Sequence, residues 1–284
     1  TFSAVKRLQD IVIMILKEYI SKFYLNREKQ TSMQFIEAKP LNVKMHSEVF
    51  PKNEEIVIKI PKEFHNDIEI LKKELESYQD KQMIPEKWTL WNNFIVHFDH
   101  HLYTPLIIWQ KNKDHIKSIP VKLNEGETKF VIDLKEFITH NQAFFDDKEL
   151  FLLRNLSKKG IGFFIDAGFY PDFIMWLKFK DMQYMIFIDP KGIRNSGNFN
   201  DSKIQLCSSY IKEIETEIKK ELSKNKNKDR MLIDAFIISV TKYNDIKATF
   251  GEGNYIKKDF EDHNILFQED NDYIEKIFKK IGAL

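Results

Sequence analysis

The chain has 284 residues, with 44 lysines and arginines against 43 aspartates and glutamates, so its formal net charge is +1. Hydrophobic residues make up 43 % and charged residues 31 %, which excludes an intrinsically disordered chain. A net charge this small also excludes a protein that holds a polyanion by bulk charge, so any contact with nucleic acid must come from local patches.

The first 120 residues combine helical and strand patterns. Apolar residues from Val5 to Tyr24 recur at three- and four-residue spacing, which predicts a helix over 1–29. Residues 65–78 predict a second, charged helix, and β-branched or aromatic runs at 56–60, 94–98 and 106–109 predict short strands. The sequence starts at Thr1 inside the first predicted helix, without a signal-peptide pattern. We therefore expect an additional N-terminal α+β lobe over 1–120 that belongs to a longer polypeptide.

Residues 121–284 form the second predicted domain. Phe130, Leu134 and Phe137 form one stripe of a helix over 126–138, and short apolar runs at 150–153, 162–165, 173–179 and 184–188 predict strands. A helix over 203–222, a strand over 232–240 and a helix over 273–281 follow. This order predicts an α/β fold, with a central mixed sheet covered by helices on both faces.

Two apolar runs at 169–177 and 184–188 are joined by turn residues. If Lys180 and Asp181 form the tip of a hairpin, Asp172 falls directly opposite Asp189. Such residues have Cβ atoms roughly 4.5–5.5 Å apart, and two like charges there are destabilising. Lys191 lies two residues beyond Asp189 and projects to the same face. We therefore expect two carboxylates and an ammonium group to converge at the end of this strand pair.

Half-buried charges of this kind are costly unless they are paired or bind a cation. Mg²⁺ is typically held by one or two carboxylates together with waters and phosphate oxygens. Lys191 would then orient the attacking water or stabilise charge at the phosphorus centre. The pattern thus suits hydrolysis of a phosphodiester bond. The alternative is structural, with two aspartates at strand ends and one of them in a salt bridge to Lys191.

The pattern Pro171-Asp172 followed by Asp189-x-Lys191 resembles the metal-binding signature of the restriction-endonuclease-like nucleases, which is Pro-Asp, a spacer, then Asp or Glu-x-Lys. Sixteen residues separate the two aspartates, and the second acid is the rarer Asp. Residues 120–195 further resemble the C-terminal nuclease region of type III restriction (Res) subunits and related DEAD/DEAH-box helicases. The segments that carry this likeness include Leu-Leu-Arg-Asn-Leu at 152–156 and Phe-Tyr-Pro-Asp-Phe at 169–173.

The resemblance implies a restriction-endonuclease-like core and Mg²⁺- or Mn²⁺-dependent cleavage of DNA by a bacterial, cytoplasmic enzyme. Asp172 and Asp189 would bind the metal, with Lys191 in a catalytic role and an acid from the helix before the sheet completing the site. Glu127 occupies that place, and Glu149 is the alternative if 150–153 is helical. A favourable acid in the first turn of a helix is the structural interpretation of Glu127.

The sequence contains no Walker A motif, so the resemblance also implies a helicase motor upstream in the same polypeptide. A methyltransferase or specificity subunit would be a further partner, and no membrane contact is expected. Arg194 and Arg154 are candidate DNA contacts, with a surface or capping role as the alternative for Arg154. The competing functional hypothesis is a catalytically silent nuclease-like module that binds DNA or a partner protein.

Cys207 is the only cysteine. A single cysteine excludes a disulfide framework and a cysteine-based zinc site, and it fits a reducing compartment. Because its predicted position is the apolar face of a helix, we expect an unreactive thiol.

Overall fold

A computed structural model of the chain describes residues 121–155, 162, 169–224 and 230–284, together with short segments nearer the N-terminus at 57–66, 69, 73, 89–91, 94–97, 106–109 and 117–119. The helix predicted over 1–29 lies outside the described residues, as does the strand predicted over 162–165 apart from Gly162. The N-terminal lobe therefore stays a prediction.

The described N-terminal segments contain five short strands. Strand β1 (Val57–Lys59) pairs antiparallel with β5 (Lys117–Ile119). Strands β2 (Thr89–Trp91), β3 (Phe94–His97) and β4 (Leu106–Trp109) form an antiparallel three-stranded sheet. The strands predicted over 56–60, 94–98 and 106–109 are thereby confirmed.

The main sheet has five strands: β6 (Glu149–Arg154), β7 (Phe173–Phe179), β8 (Met182–Lys191), β9 (Arg230–Ser239) and β10 (Ile265–Phe267). Their spatial order is β10-β9-β8-β7-β6. Strands β6, β7 and β8 are antiparallel neighbours, whereas β8, β9 and β10 run parallel. The predicted α/β fold with a mixed, open sheet flanked by helices is confirmed.

Seven α-helices are assigned in the described ranges: α1 (Glu125–His140), α2 (Gln142–Phe145), α3 (Ser202–Gln205), α4 (Ile211–Lys224), α5 (Tyr243–Ile246), α6 (Lys257–Asp262) and α7 (Tyr273–Lys280). A π-helical turn, Leu206–Tyr210, joins α3 to α4. It interrupts the continuous helix predicted over 203–222. Its wider spacing leaves the Cys207 carbonyl to accept a hydrogen bond from Asn264 Nδ2 at 2.9 Å. Two 3₁₀ segments are also present, Lys62–Phe64 and Phe250–Gly253.

Side chains alternate along each strand and therefore point to both faces of the main sheet. Both faces are buried, because helices cover each of them. On one face, α1 and α7 pack against the sheet. The strand side chains Phe173, Met175, Ile188 and Phe236 are fully buried there, together with Phe130 of α1 and Phe278 of α7. On the other face, the strand side chains Ile174, Phe187, Ala235 and Ile237 are buried together with helical residues. These are Cys207 of the π-turn, Ile211 of α4 and Phe260 of α6. Burial of each large apolar side chain stabilises the folded state by about 1.5–3 kcal/mol relative to leaving it exposed to water.

Helix α1 begins beside the C-terminal end of β9. Asn124 is the N-cap residue, and its side chain accepts a hydrogen bond from the Glu127 backbone N–H. The Glu127 side chain accepts one from the Asn124 backbone N–H, which completes a capping box. Gly126 lies so close to Val240 that a Cβ at Gly126 would be 2.4 Å from Val240 Cγ1. The Gly126 carbonyl also accepts a hydrogen bond from Gln268 Nε2 at 2.8 Å. These contacts hold the first turn of α1 at the edge of the sheet where β6 and β8 end.

Candidate functional site

Asp172 and Asp189 face each other across the β7–β8 pair. The hairpin turns at Lys180 and Asp181, and Phe179 pairs with Met182 as the sequence predicts. The register runs to Phe173 opposite Ile188, so its continuation places Asp172 opposite Asp189. The two carboxyl groups interact electrostatically, because the charge of Asp189 helps to raise the pKa of Asp172. Asp189 is only 7 % exposed and Asp172 is half-buried, so the pair is largely removed from solvent.

Lys191 supplies the positive charge nearest to the pair. Its Nζ lies 2.8 Å from Asp189 Oδ2, and the lysine side chain is 22 % exposed. The same ammonium group lies 5.3 Å from the centre of the Phe169 ring. Its nitrogen is fully buried and makes no well-directed hydrogen bond within the described residues. The ammonium therefore has donor capacity left over beyond its ion pair with Asp189.

Glu127 lies beside the pair but is held by other groups. Asn124 Nδ2 donates to Glu127 Oε1 at 2.6 Å, and Asn124 N donates to Oε2 at 3.2 Å. Arg154 Nη2 lies 3.3 Å from Oε2 and completes a buried ion pair. Arg154 also donates to the carbonyl groups of Val121 and Lys122. Glu127 is thus fixed by the helix cap and by Arg154.

The electrostatics of the site act most strongly on Asp172. Burial raises the pKa of Asp172 to about 8, and the negative charges of Asp189 and Glu127 act in the same direction. A hydrogen bond donated by protonated Asp172 to the Asp189 carboxylate would act in the same direction, and the charge of Arg154 opposes the shift in pKa. Two adjacent carboxyl groups in a poorly solvated place cannot both be ionised without a compensating cation. The site therefore stores a proton that a cation could replace.

Burial lowers the pKa of the Arg154 guanidinium, whereas the charges of Glu127 and Asp172 raise it. Arg154 is thus not a free DNA contact: its hydrogen-bonding groups point to Glu127 and to two backbone carbonyls. This geometry fits the structural alternative for Arg154. The loss of solvation is offset by the two acids that it faces.

Two other predicted residues lie away from the pair. Glu149 is at the opposite end of β6, where it pairs with Lys178, and the 150–153 run is a strand. The alternative role of Glu149 required that run to be helical, so the structure does not place Glu149 at the site. Arg194 is exposed and lies 3.4 Å from Asp245 Oδ2. It stays a candidate DNA contact with an acidic neighbour.

Two further features of the site concern Lys203, to which the sequence assigned no role, and Asn155, which follows a predicted strand and which the sequence offered as a phosphate contact, with a surface or capping role as the alternative. Lys203 Nζ lies 5.9 Å from the centre of the same Phe169 ring that Lys191 contacts. Asn155 N donates to the Asp172 carbonyl, and Asn155 Nδ2 donates to the Pro171 carbonyl, both at 2.8 Å. Asn155 follows the apolar run 150–153 directly, but sequence alone does not show where its amide points.

The donor set fits a hard divalent cation in part. The acid pair offers two carboxylates, which is the number that Mg²⁺ commonly takes from a protein. Within the described residues, no three His, Cys, Asp or Glu side chains are grouped closely enough to hold a metal ion. Any metal here would therefore be held by Asp172 and Asp189, with Glu127 acting through its charge.

Cys207 faces the same region from the π-turn. It is fully buried, and burial raises the pKa of its thiol well above the usual range. Lys191 opposes that shift. A thiol that stays protonated is a poor nucleophile and a poor metal ligand. Cys207 therefore packs as an apolar side chain, as predicted.

Comparisons with models of protein families, with curated proteins and with solved structures find no match to this chain. Among the helices that the structure describes, none is long and apolar enough to cross a membrane. The site must therefore be interpreted from its own geometry.

Proposed function

We propose that residues 121–284 form a metal-dependent nuclease domain that hydrolyses DNA phosphodiester bonds. The observation that carries the proposal is the largely buried pair of Asp172 and Asp189 with Lys191 at 2.8 Å from one of the two carboxylates. A structural salt bridge would account for Asp189 and Lys191, but it gives no reason to bury a second carboxyl group beside them.

Asp172 and Asp189 would hold Mg²⁺ or Mn²⁺, which supplies charge stabilisation and an activated water when bound. The ammonium group of Lys191 lies beside the Asp189 carboxylate. A phosphate oxygen or a water molecule near the metal would therefore be within its reach as a hydrogen-bond acceptor. Phe169 covers one side of Lys191 and keeps bulk solvent from it. Electrostatic stabilisation of this type is commonly the largest contribution to such a reaction.

The resemblance of the Pro-Asp and Asp-x-Lys pattern to restriction-endonuclease-like nucleases supports the same chemistry. On that basis, the domain would be the cleavage module of a bacterial, cytoplasmic restriction or defence enzyme of the type III kind. Its DNA would be delivered by a helicase motor upstream in the polypeptide, with a methyltransferase or specificity subunit as a further partner. Arg194 would contact the DNA backbone after its ion pair with Asp245 is broken.

A second candidate function is a catalytically silent module that binds DNA or a partner protein. Lys191 already neutralises one carboxylate of the pair, and a proton can neutralise the other. The site can thus be electrostatically satisfied with no metal. In this case the acid pair would be a remnant that contributes to folding alone.

Cleavage of supercoiled DNA by the 284-residue chain, with and without Mg²⁺, separates the two functions. We expect D172A to lose Mg²⁺-dependent cleavage by at least about a hundredfold. The matched control is D147A, because Asp147 is exposed and precedes the far end of β6. Equal cleavage by wild-type and D172A would reject the nuclease assignment, and so would the absence of Mg²⁺-dependent cleavage by the full polypeptide that carries the proposed helicase motor.

A further inference from the structure

Asn155 makes an unusual pair of contacts with the segment that leads into β7. Its backbone N–H donates to the Asp172 carbonyl at 2.8 Å, which extends the β6–β7 pairing by one residue. Its side-chain Nδ2 donates to the Pro171 carbonyl, also at 2.8 Å. Asn155 is only 8 % exposed, so neither bond is weakened by competing solvent.

These two bonds fix both peptide groups that flank the Asp172 Cα atom. The Pro171 carbonyl belongs to the peptide before that atom, and the Asp172 carbonyl belongs to the peptide after it. With both peptide planes held, the backbone angles of Asp172 are set, and so is the direction of its Cα–Cβ bond. Asn155 thereby sets the direction in which the Asp172 side chain leaves the backbone.

The position needs such control because Asp172 precedes the first residue of β7. The regular pairing of β7 with β8 stops at Phe173 and Ile188, so Asp172 itself lies just beyond the ladder. Asp189, in contrast, is inside β8 and pairs in register with Ile237 of β9. One acid of the pair is thus positioned by the sheet, and the other requires a separate support.

We propose that Asn155 is a positioning residue that aligns Asp172 with Asp189 for binding of a divalent metal ion. This inference rests on the proposed function, since it assigns the metal ion to the same acid pair. Groups that orient metal ligands without touching the metal typically change metal affinity 10–100-fold when they are replaced. The loss of one buried hydrogen bond would by itself lower stability and leave the affinity of a folded site unchanged.

The test compares N155A and N155L with wild-type chain by Mn²⁺ titration, followed by electron paramagnetic resonance of free Mn²⁺, and by thermal unfolding. N155L keeps the approximate shape of the side chain but has no donor. The matched control is N141A, because Asn141 Nδ2 donates to the Phe137 carbonyl at 2.8 Å at the end of α1. We expect Mn²⁺ affinity to fall about tenfold or more in both Asn155 variants, and to stay within about twofold in N141A.

Cleavage assays add a second readout. The Mg²⁺ concentration for half-maximal cleavage should rise in the Asn155 variants, whereas KM for DNA should stay at its wild-type value. Unchanged Mn²⁺ affinity in folded N155A and N155L overturns the role of Asn155, even where wild-type chain cleaves DNA. Two Asn155 variants that are both unfolded at the assay temperature overturn it as well, because Asn155 would then support the whole fold.

The two proposals fail in different ways. A full polypeptide that binds Mn²⁺ but cleaves no DNA rejects the nuclease function, and the Mn²⁺ titrations still decide the role of Asn155. Wild-type chain that binds no Mn²⁺ rejects the metal site and with it the positioning role.

Discussion

Asp172 lies opposite Asp189 in the continued register of two antiparallel strands, and of these two acids only Asp189 has a lysine at ion-pair distance among the described residues. The pair is therefore asymmetric: Lys191 forms an ion pair with Asp189, whereas burial and the neighbouring acids raise the pKa of Asp172 to about 8. Proton uptake by Asp172 should consequently govern how the domain responds to pH.

The first prediction concerns stability against pH in the absence of metal. The pKa of Asp172 is raised to about 8 in the folded chain, against about 3.9 for an unperturbed Asp. The folded state then holds one more proton than the unfolded state between those values. The free energy of unfolding should fall as pH rises from about 4 to about 8, by at most ~1.4 kcal/mol per pH unit. Partial exposure of Asp172 reduces this slope.

The comparison is D172N against wild-type chain by urea unfolding in EDTA at pH 5, 6, 7 and 8. D172N removes the titrating group and keeps the hydrogen-bonding side chain, so its stability should exceed that of wild-type by an increasing margin as pH rises. Parallel stability curves for the two proteins would show that Asp172 titrates normally.

The second prediction concerns Lys191, which acts as an internal cation for the acid pair. Its replacement in K191M leaves Asp189 buried without its partner, a change that commonly costs about 3–5 kcal/mol. We expect lower stability without metal, and a larger rise in melting temperature on addition of Mn²⁺ than in wild-type chain, because the metal ion then replaces the missing charge. Cleavage should be lost.

The control for K191M is K203M, since Lys203 lies over the same Phe169 ring but is not in an ion pair within the described part of the chain. Its response to Mn²⁺ should match that of wild-type. If Mn²⁺ raises the melting temperature of K191M and wild-type equally, the lysine and the metal ion do not share the carboxylates.

The third prediction distinguishes the two interpretations of Glu127. Its oxygens accept from Asn124 and pair with Arg154, and glutamine also fits this position of a capping box. We therefore expect E127Q to retain Mn²⁺ affinity within about threefold, while D172N loses it. R154M should lower the free energy of unfolding by about 2–4 kcal/mol, because it leaves the Glu127 carboxylate buried and unpaired.

Combining the two changes in E127Q/R154M should restore part of that stability, since no unpaired charge remains. Isothermal titration of Mn²⁺ and urea unfolding measure both effects. A loss of Mn²⁺ binding in E127Q as large as that in D172N would instead make Glu127 a third metal ligand.

The fourth prediction concerns the close approach of α1 to β9. A methyl group at Gly126 would lie 2.4 Å from Val240 Cγ1, so G126A should overpack this contact and cost about 1–3 kcal/mol. V240A alone should have a small effect because Val240 is 44 % exposed. The double variant G126A/V240A should recover most of the lost stability in urea unfolding. Additive losses would show that Gly126 is needed for a reason other than Val240.

Much of the central domain follows from local sequence. The hairpin register could be predicted because apolar runs of similar length flank a short turn at Lys180 and Asp181, and a shift of one residue would turn Asp189 toward the opposite face. Helix α1 is predicted by the apolar spacing of Phe130, Leu134 and Phe137, whereas its Asn124 cap is a finding of the structure. Strand β10 was not predicted, because three apolar residues between two short helices carry too little periodicity.

The site was predictable where it depends on strand register and unpredictable where it depends on side-chain direction. Asp172, Asp189 and Lys191 are related by counting along two paired strands. The ion pair of Arg154 with Glu127 and the bonds of Asn155 join residues from separate elements, and their geometry depends on how α1, β6 and β7 pack. The π-turn that places Cys207 near Lys191 likewise has no local signal in the sequence.

Strand β8 is the middle strand of the sheet, and residues Met182–Ile188 pair with neighbours on both sides. Backbone amides in such a strand exchange with solvent mainly when the whole domain unfolds. Asp189 thus lies inside the central strand, whereas Asp172 lies just before the first residue of β7 and is held there by Asn155. A bound ion that joins these two residues would tie the entry to β7 to the slowest-exchanging strand, and slower exchange of the Phe169, Tyr170 and Asp172 amides would report its arrival.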